Sequence, residues 1–449
     1  MTSPTPAPPS DGSITISDRF PRFVEGNPAM PVWCVTPNTD RCLHRFFDTP
    51  PFSPSGRYLA CFRLPFEDRM PAPGEEGEIV VVDLHQGDER IVATTRGFET
   101  QMGPNLNWAP GREGGDDVLV FNDVNPDTWT PQVVKLNPHT GRSQRWPGGV
   151  YQVSPDGGTA AAASMEKMRR TQHGYGVLVP DQHSRRNVGA PDDDGLFFTD
   201  LDTGQRRLAL SLADAARVIP ELRDLSPDEL AAWEVYGFHC KWSPDGHRLI
   251  FTVRRYKHGG EDRFDAFSRV GARGVRFDVL TLRPDASDLY DAVPAACWDR
   301  GGHHINFFPD GDQLSMNLGH FRPEGDKGLD LVRVAYDGSK LEKITDAVDG
   351  SGHPTVHPDG RHILTDCYFK ELWADKQTGT TPLRWIDLDS GSEREIVRMV
   401  TRPPYQPDPA LRIDPHPAWD RSWRWVAFNA NVGGTRRVMV ADMKGLLDP

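Results

Sequence analysis

Four histidines, His239, His304, His353 and His416, stand at one place relative to a turn motif that recurs along the chain. Imidazole is the commonest nitrogen donor to divalent metals and titrates closer to neutrality than any other side chain, so such a set can hold an ion, move a proton, or both. Three ligands and one base is a consistent division, with His304, His353 and His416 binding metal and His239 removing a proton. Asp414, two residues before His416, projects to the same face of an extended strand and would suit a harder cation such as manganese. It reads equally well as a solvated carboxylate. Any one of these histidines, taken singly, also reads as a structural residue bonded to a buried carboxylate. The shared position of four, in a chain with 15 histidines, favours a functional cluster.

Other polar residues gather near the same strand starts. KMRRTQHGYGV, lying between the third and fourth repeats, brings Arg170, His173 and Tyr175 around a Gly-Tyr-Gly turn. Arginine forks onto a carboxylate, and a tyrosine hydroxyl can protonate a leaving oxygen, so Arg170 and Tyr175 are catalytic candidates beside His239. His44 and Arg45 in CLHRFFDTPPFSPSG, Gln101 in FETQMGPNLNWAP, His173, and Arg412 in LRIDPHP are candidates for substrate contact. Each of these also has a structural reading, as a brace for a loop.

The elements that must position these groups follow from the turn motif itself. Seven segments share an apolar residue, a Ser-like residue, a Pro-Asp-Gly-type turn and a short apolar strand, from PPFSPSGRYLACF to PAWDRSWRWVAF. The Ser slot falls at Ser53, Ala109, Ser154, Ser243, Phe308, His357 and Asp420, 45 to 89 residues apart. That is the period of a four-stranded propeller blade or longer. The residue before the slot is apolar in all seven repeats and marks the packing face. The residue four before it reads Thr49, Asn105, Val150, His239, His304, His353 and His416, on the opposite face. Innermost propeller strands surround one axis, so these positions converge. The expected fold is all-β, a seven-bladed propeller with a small helical insertion between blades 3 and 4, whose second helix opens with the capping box Ser226 to Glu229. MPVWCVTP should close the ring by joining the last blade, because an open edge would otherwise remain. Residues 1–28 read as a Pro/Ser-rich disordered tail and 29–449 as one domain.

Composition narrows the partners. With 51 basic and 64 acidic residues the net charge is −13, which disfavours nucleic acid and anionic membranes. No apolar run reaches the roughly 18 residues that span a bilayer. Six scattered cysteines without a CxxC pair fit reduced thiols, and with no secretory signal the expected location is the cytoplasm.

HCKWSPDGHRLIF, GGHHINFFPDG, GHPTVHPDGRHILTD and DPHPAWDRSWRWVAFNANVGGTRRVMVADM resemble the oligogalacturonate lyase family of propeller polysaccharide lyases. The resemblance runs over nearly the whole chain after residue 40. It implies a divalent metal, manganese before zinc or calcium, held by histidines and a glutamine. It also implies a separate histidine with an arginine for proton abstraction, and an acidic oligosaccharide substrate cleaved by β-elimination. On it, His304 and His416 fall at ligand positions and His239 at that of the base. The chain departs from the family before His416, where Leu411, Arg412, Ile413 and Asp414 stand in place of the family's Gln and His. SPDG blades also occur in non-catalytic TolB-like propellers, and the same cluster would suit a sugar hydrolase or epimerase.

Overall fold

The computed structural model describes residues 14–111, 117–257, 274–402 and 409–447. The inner hairpins show why the turn motif recurs. Ser53, Ser154 and Ser243 each donate their amide to the carbonyl five residues on (2.8 to 2.9 Å), and their own carbonyls accept from Gly56, Gly157 and Gly246. Those glycines have φ of 73 to 76°, where a side chain would be strained. The last repeat lacks the glycine, and Trp423 takes its place at φ 58°. The turn survives because the Asp420 carboxylate accepts from the amides of Ser422, Arg424 and Trp425 at 2.8 to 2.9 Å. Part of the degenerate second turn, 112–116, lies outside the described residues.

Each turn leads into an antiparallel sheet whose apolar faces stack on its neighbours. Among the described residues the strands fall, in chain order, into seven runs of four, except that the fifth run gains the short strand Asp349–Gly350 and the last has three strands, Ala418–Trp419, Trp425–Val432 and Thr435–Asp442. The fourth, for example, is Trp233–Trp242, Leu249–Lys257, Arg276–Leu282 and Tyr290–Val293. The sixth and seventh runs are joined into one eight-stranded sheet by the single pair Val400 and Asn431. All seven residues expected on the packing face, Phe52, Trp108, Val153, Trp242, Phe307, Val356 and Trp419, are buried. The all-β propeller read from the sequence is the fold observed.

Closure uses the expected segment. Val32–Cys34 pairs antiparallel with Thr435–Asp442, Val32 opposite Ala441 and Cys34 opposite Met439, and so becomes the outer strand of the last sheet. The disordered tail expected over 1–28 requires correction. Residues 1–13 lie outside the described residues, but from 14 onward the chain is packed, with Ile14, Phe20 and Phe23 buried. Ser17 donates its amide to Leu84 O at 2.8 Å and Phe23 to Val32 O at 2.9 Å. The apolar Ile14, Ile16 and Phe20 gain more from covering the first sheet than the Pro/Ser-rich composition suggested.

Between the third and fourth runs lie three short helices, Leu212–Val218, Pro220–Arg223 and Pro227–Ala231, the last opened by the Ser226 and Glu229 capping box. KMRRTQHGYGV does not lie between those two runs but inside the third, after its second strand Thr159–Ala162 and before Gly195–Asp200. All six cysteines are unpaired thiols. Among the described residues no helix is long and apolar enough to cross a membrane.

Candidate functional site

The four histidines do converge, around the ring of Phe46. Its centroid lies 5.8 Å from that of His239, 6.0 Å from His304, 5.3 Å from His353 and 4.7 Å from His416, in each case edge-on. Strand pairing accounts for the arrangement. His304 and His416, like Asn105 at the equivalent point of the second repeat, have positive φ (59°, 49° and 54°), a bend at the start of the inner strand. Opposite these starts, the second strands carry buried polar residues that fasten neighbouring sheets. Asn122 holds both backbone groups of Val150, Asn317 donates to Gly352 O, and Asn429 accepts from the amide of His44.

His353 is buried, and its Nδ1 stands 2.9 and 3.0 Å from the two oxygens of Asp366, itself buried. Asp366 also accepts from the amides of His353 (2.7 Å) and His416 (3.2 Å). A carboxylate on Nδ1 fixes that nitrogen as the protonated one, so the lone pair lies on Nε2, which is buried without a partner. His416 likewise has a buried, unpartnered Nδ1, and its Nε2 lies 3.7 Å from Asp414 Oδ2. One donor atom each from His353, Asp414 and His416 falls within 4.8 Å of the others. Two imidazoles and a carboxylate, with an orphaned buried nitrogen on each imidazole, fit a divalent cation. Burial and the neighbouring His353 hold His416 neutral, its pKa well below the ordinary value, as ligation requires.

His304 departs from the expected ligand set. Its ring stacks on His353 with centroids 3.7 Å apart, but both nitrogens are occupied, Nδ1 by Gly352 O at 2.6 Å and Nε2 by the Tyr368 hydroxyl at 3.1 Å. The place it was expected to fill is taken by Asp414.

His239 occupies an aromatic box of Phe46, Tyr151, Tyr175 and Phe238, with ring centroids 4.1 to 5.9 Å away. Its Nε2 is buried and unpartnered. Burial, then the charges of Lys241, Arg254 and Arg45, push its pKa well below the ordinary value, so the ring is neutral. The arginine facing this box is Arg254, which sequence reasoning did not single out. Its guanidinium lies 3.5 Å over the Phe238 ring and donates to Gln172 Oε1 at 2.6 Å. Burial lowers its pKa to about 10.

The remaining candidates divide by what already holds them. Arg170, expected to be catalytic, is buried with its guanidinium on the Ser184 carbonyl, because the 3₁₀ turn Met165–Arg170 points it into the fold. Arg45, expected to touch substrate, is buried in the channel on Asp48, Thr49, Asn105 and the Tyr151 carbonyl. Lys241 reaches the same Asp48 at 2.8 Å, so two cations share one carboxylate beneath Phe46 and Phe47. His44 is buried against Pro415 O, and burial pushes its pKa down to about 4. Gln101 is spent on the carbonyls of Ala410 and Arg412. For Arg45, His44 and Gln101 the contact role is therefore corrected to bracing. Tyr175 and Arg412 do meet. Arg412 Nε donates to Asp414 Oδ2 at 2.8 Å, and its guanidinium bonds the Tyr175 hydroxyl. Burial works against its charge, but Asp414 and the two tyrosines Tyr175 and Tyr368 raise its pKa above the ordinary value. His173 stands exposed on the same turn.

No protein-family model matches the chain. An uncharacterized protein of Agrobacterium fabrum is 23% identical over 139 residues, 30% of this chain, and the match spans only 44% of that relative. Among solved structures, an oligogalacturonate lyase in complex with manganese superposes with a TM-score of 0.59 at 15% identity, covering 94% of this chain and 96% of that one. An oligogalacturonate lyase from Vibrio parahaemolyticus gives 0.57 at 14%, with the same coverage. The tricorn protease gives 0.50 at 10%, over 92% of this chain and 35% of its own. Over nearly its whole length, the chain is folded as the oligogalacturonate lyases are, in a β-propeller.

Proposed function

We propose that the protein cleaves short uronate-containing oligosaccharides by metal-assisted β-elimination. The observation that carries this reading is the pairing, across Phe46, of a neutral unpartnered imidazole with a separate two-histidine, one-carboxylate group. Arg254 and Arg412 supply positive charge at the two sides, as a uronate C6 carboxylate requires. His239 Nε2 takes the C5 proton, the electrons of that C–H bond become the C4–C5 double bond, and the C4–O bond breaks. The Tyr175 hydroxyl, polarised by Arg412, gives its proton to the departing glycosidic oxygen. A divalent ion held by His353, Asp414 and His416 would supply further charge against the carboxylate, where negative charge grows as the proton leaves. Asp366 fixes the ring of His353 for that purpose. The Phe46, Tyr151 and Phe238 rings packed about His239 exclude water from the base.

Incubation with oligogalacturonates and other oligouronates, in the presence of Mn²⁺, tests the reading. The expected result is growth of the ultraviolet absorbance of a 4,5-unsaturated uronate. Saturated products would point to a hydrolase, and unaltered substrates across the panel would overturn the assignment.

A further inference from the structure

Three consecutive residues, Glu99, Thr100 and Gln101, reach two separate segments of the site at once. All three are buried, at 1 to 3% exposure, and the backbone of Glu99 is locked by reciprocal hydrogen bonds to Gly103 at 3.0 and 3.1 Å. The Glu99 carboxyl accepts from the amide of Gly176. Thr100 Oγ1 lies 3.3 Å from Gly174 O and 2.8 Å from Ala410 O. Gln101 Nε2 donates to Ala410 O at 2.6 Å and to Arg412 O at 3.3 Å. One side of this triplet thus grips the Gly174 to Gly176 turn that presents Tyr175, and the other grips the 410 to 412 segment that presents Arg412. These two segments come from the third sheet and from the approach to the seventh.

We infer that Glu99, Thr100 and Gln101 form a positioning clamp that sets the Tyr175 hydroxyl against the Arg412 guanidinium. The inference rests on the proposed function for its kinetic consequence, but its geometry stands apart from it. None of the three touches a reacting atom. Glycines flank Tyr175 on both sides, and Gly174 and Gly176 have φ of 84° and 79°, so the turn has little stiffness of its own. Burial lifts the Glu99 pKa to about 8, so at neutral pH the group is largely a carboxylic acid. A glutamine, of the same shape and equally uncharged, then replaces it faithfully as an acceptor.

Hydrogen–deuterium exchange on the metal-loaded protein, followed on peptides covering 174–176 and 410–412, is the test. Glu99→Leu should speed exchange at 174–176 at least about tenfold, since the Gly176 amide loses its acceptor. Glu99→Gln should restore wild-type exchange. Gln101→Met, a shape-preserving change, should loosen 410–412 and leave metal content intact. On an active substrate, Glu99→Leu and Gln101→Met should lower kcat with KM little changed, and Glu99→Gln should recover kcat. Unchanged exchange in Gln101→Met and Glu99→Leu, or a Glu99→Gln variant as loose as Glu99→Leu, would overturn the clamp. A wild-type protein inactive on every uronate but showing the expected exchange pattern would retire the functional reading alone.

Discussion

A base works in its unprotonated form, and His239, the base proposed for the elimination, is kept in that form by its surroundings. Burial comes first, followed by the three cations Lys241, Arg254 and Arg45. Because these push the pKa down, the acidic limb of activity should fall below the ordinary histidine value of about 6.5, leaving the rate flat from there through neutrality. A pH profile of kcat/KM checks the direction, since a limb above that value would assign the proton to another group. His239→Ala should lower kcat by about 10² to 10⁴ with metal content unchanged. The opposite side of the site makes a different demand. Asp366→Ala removes the acceptor that orients His353, and metal affinity should fall about 10- to 100-fold. His353→Ala should abolish stoichiometric binding, and His304→Ala should reduce it less. Calorimetric titration with Mn²⁺ distinguishes the three. At this scale the histidines were legible because one residue type recurred in one register. Asp366 was not, because its position is defined only across a hairpin. Pairing of Thr355 with Leu364 and of Val356 with Ile363 sets His353 opposite Asp366. Continuing that register from the turn was the signal available. Arg254 carried no such mark, as it sits in a long second strand opposite Tyr236 with no turn beside it.

Strands alone do not hold a propeller's inner rim, where each sheet begins and its ladder runs out. Asn122 shows how the gap is bridged. Its amide accepts from Val150 N–H at 2.8 Å and donates to Val150 O at 2.7 Å, which is the pairing a neighbouring strand would make, supplied by a side chain. Its remaining hydrogen reaches Pro104 O at 3.2 Å. Asn122→Ala would leave both buried groups of Val150 without partners and should cost about 2 to 3 kcal/mol, measurable by urea denaturation. Asn122→Asp should not rescue it, because a carboxylate cannot donate. The turn motif made the sheets legible, even in the last repeat, where Trp423 replaces glycine in a left-handed conformation. The stray placement was KMRRTQHGYGV. Its assignment between blades assumed uninterrupted hairpins, and a long excursion within the third sheet leaves no trace in turn spacing.

The first and last strands of the chain meet, and stability depends on that contact. Deleting residues 1–38 removes Val32–Cys34 with the buried Phe20, Phe23 and Trp33, leaving Thr435–Asp442 as an open edge. Such a protein should lose its cooperative melting transition, and a normal calorimetric melt would show that closure is dispensable. The same contact orders events during synthesis. The Phe46 ring around which the histidines gather leaves the ribosome just behind the closing strand, and that strand's partner follows about 400 residues later. At the usual rate of translation the gap is roughly 20 to 80 s. Throughout it the N-terminal strand carries unpaired amides and carbonyls beside a strongly apolar first sheet. His353, Asp414 and His416, the proposed metal ligands, are likewise separated in time from Phe46, so the proposed site is assembled in the same closing act that completes the ring. A newly made chain halted just short of residue 435 would hold every residue of the candidate site, from Phe46 to His416, and none of its finished arrangement.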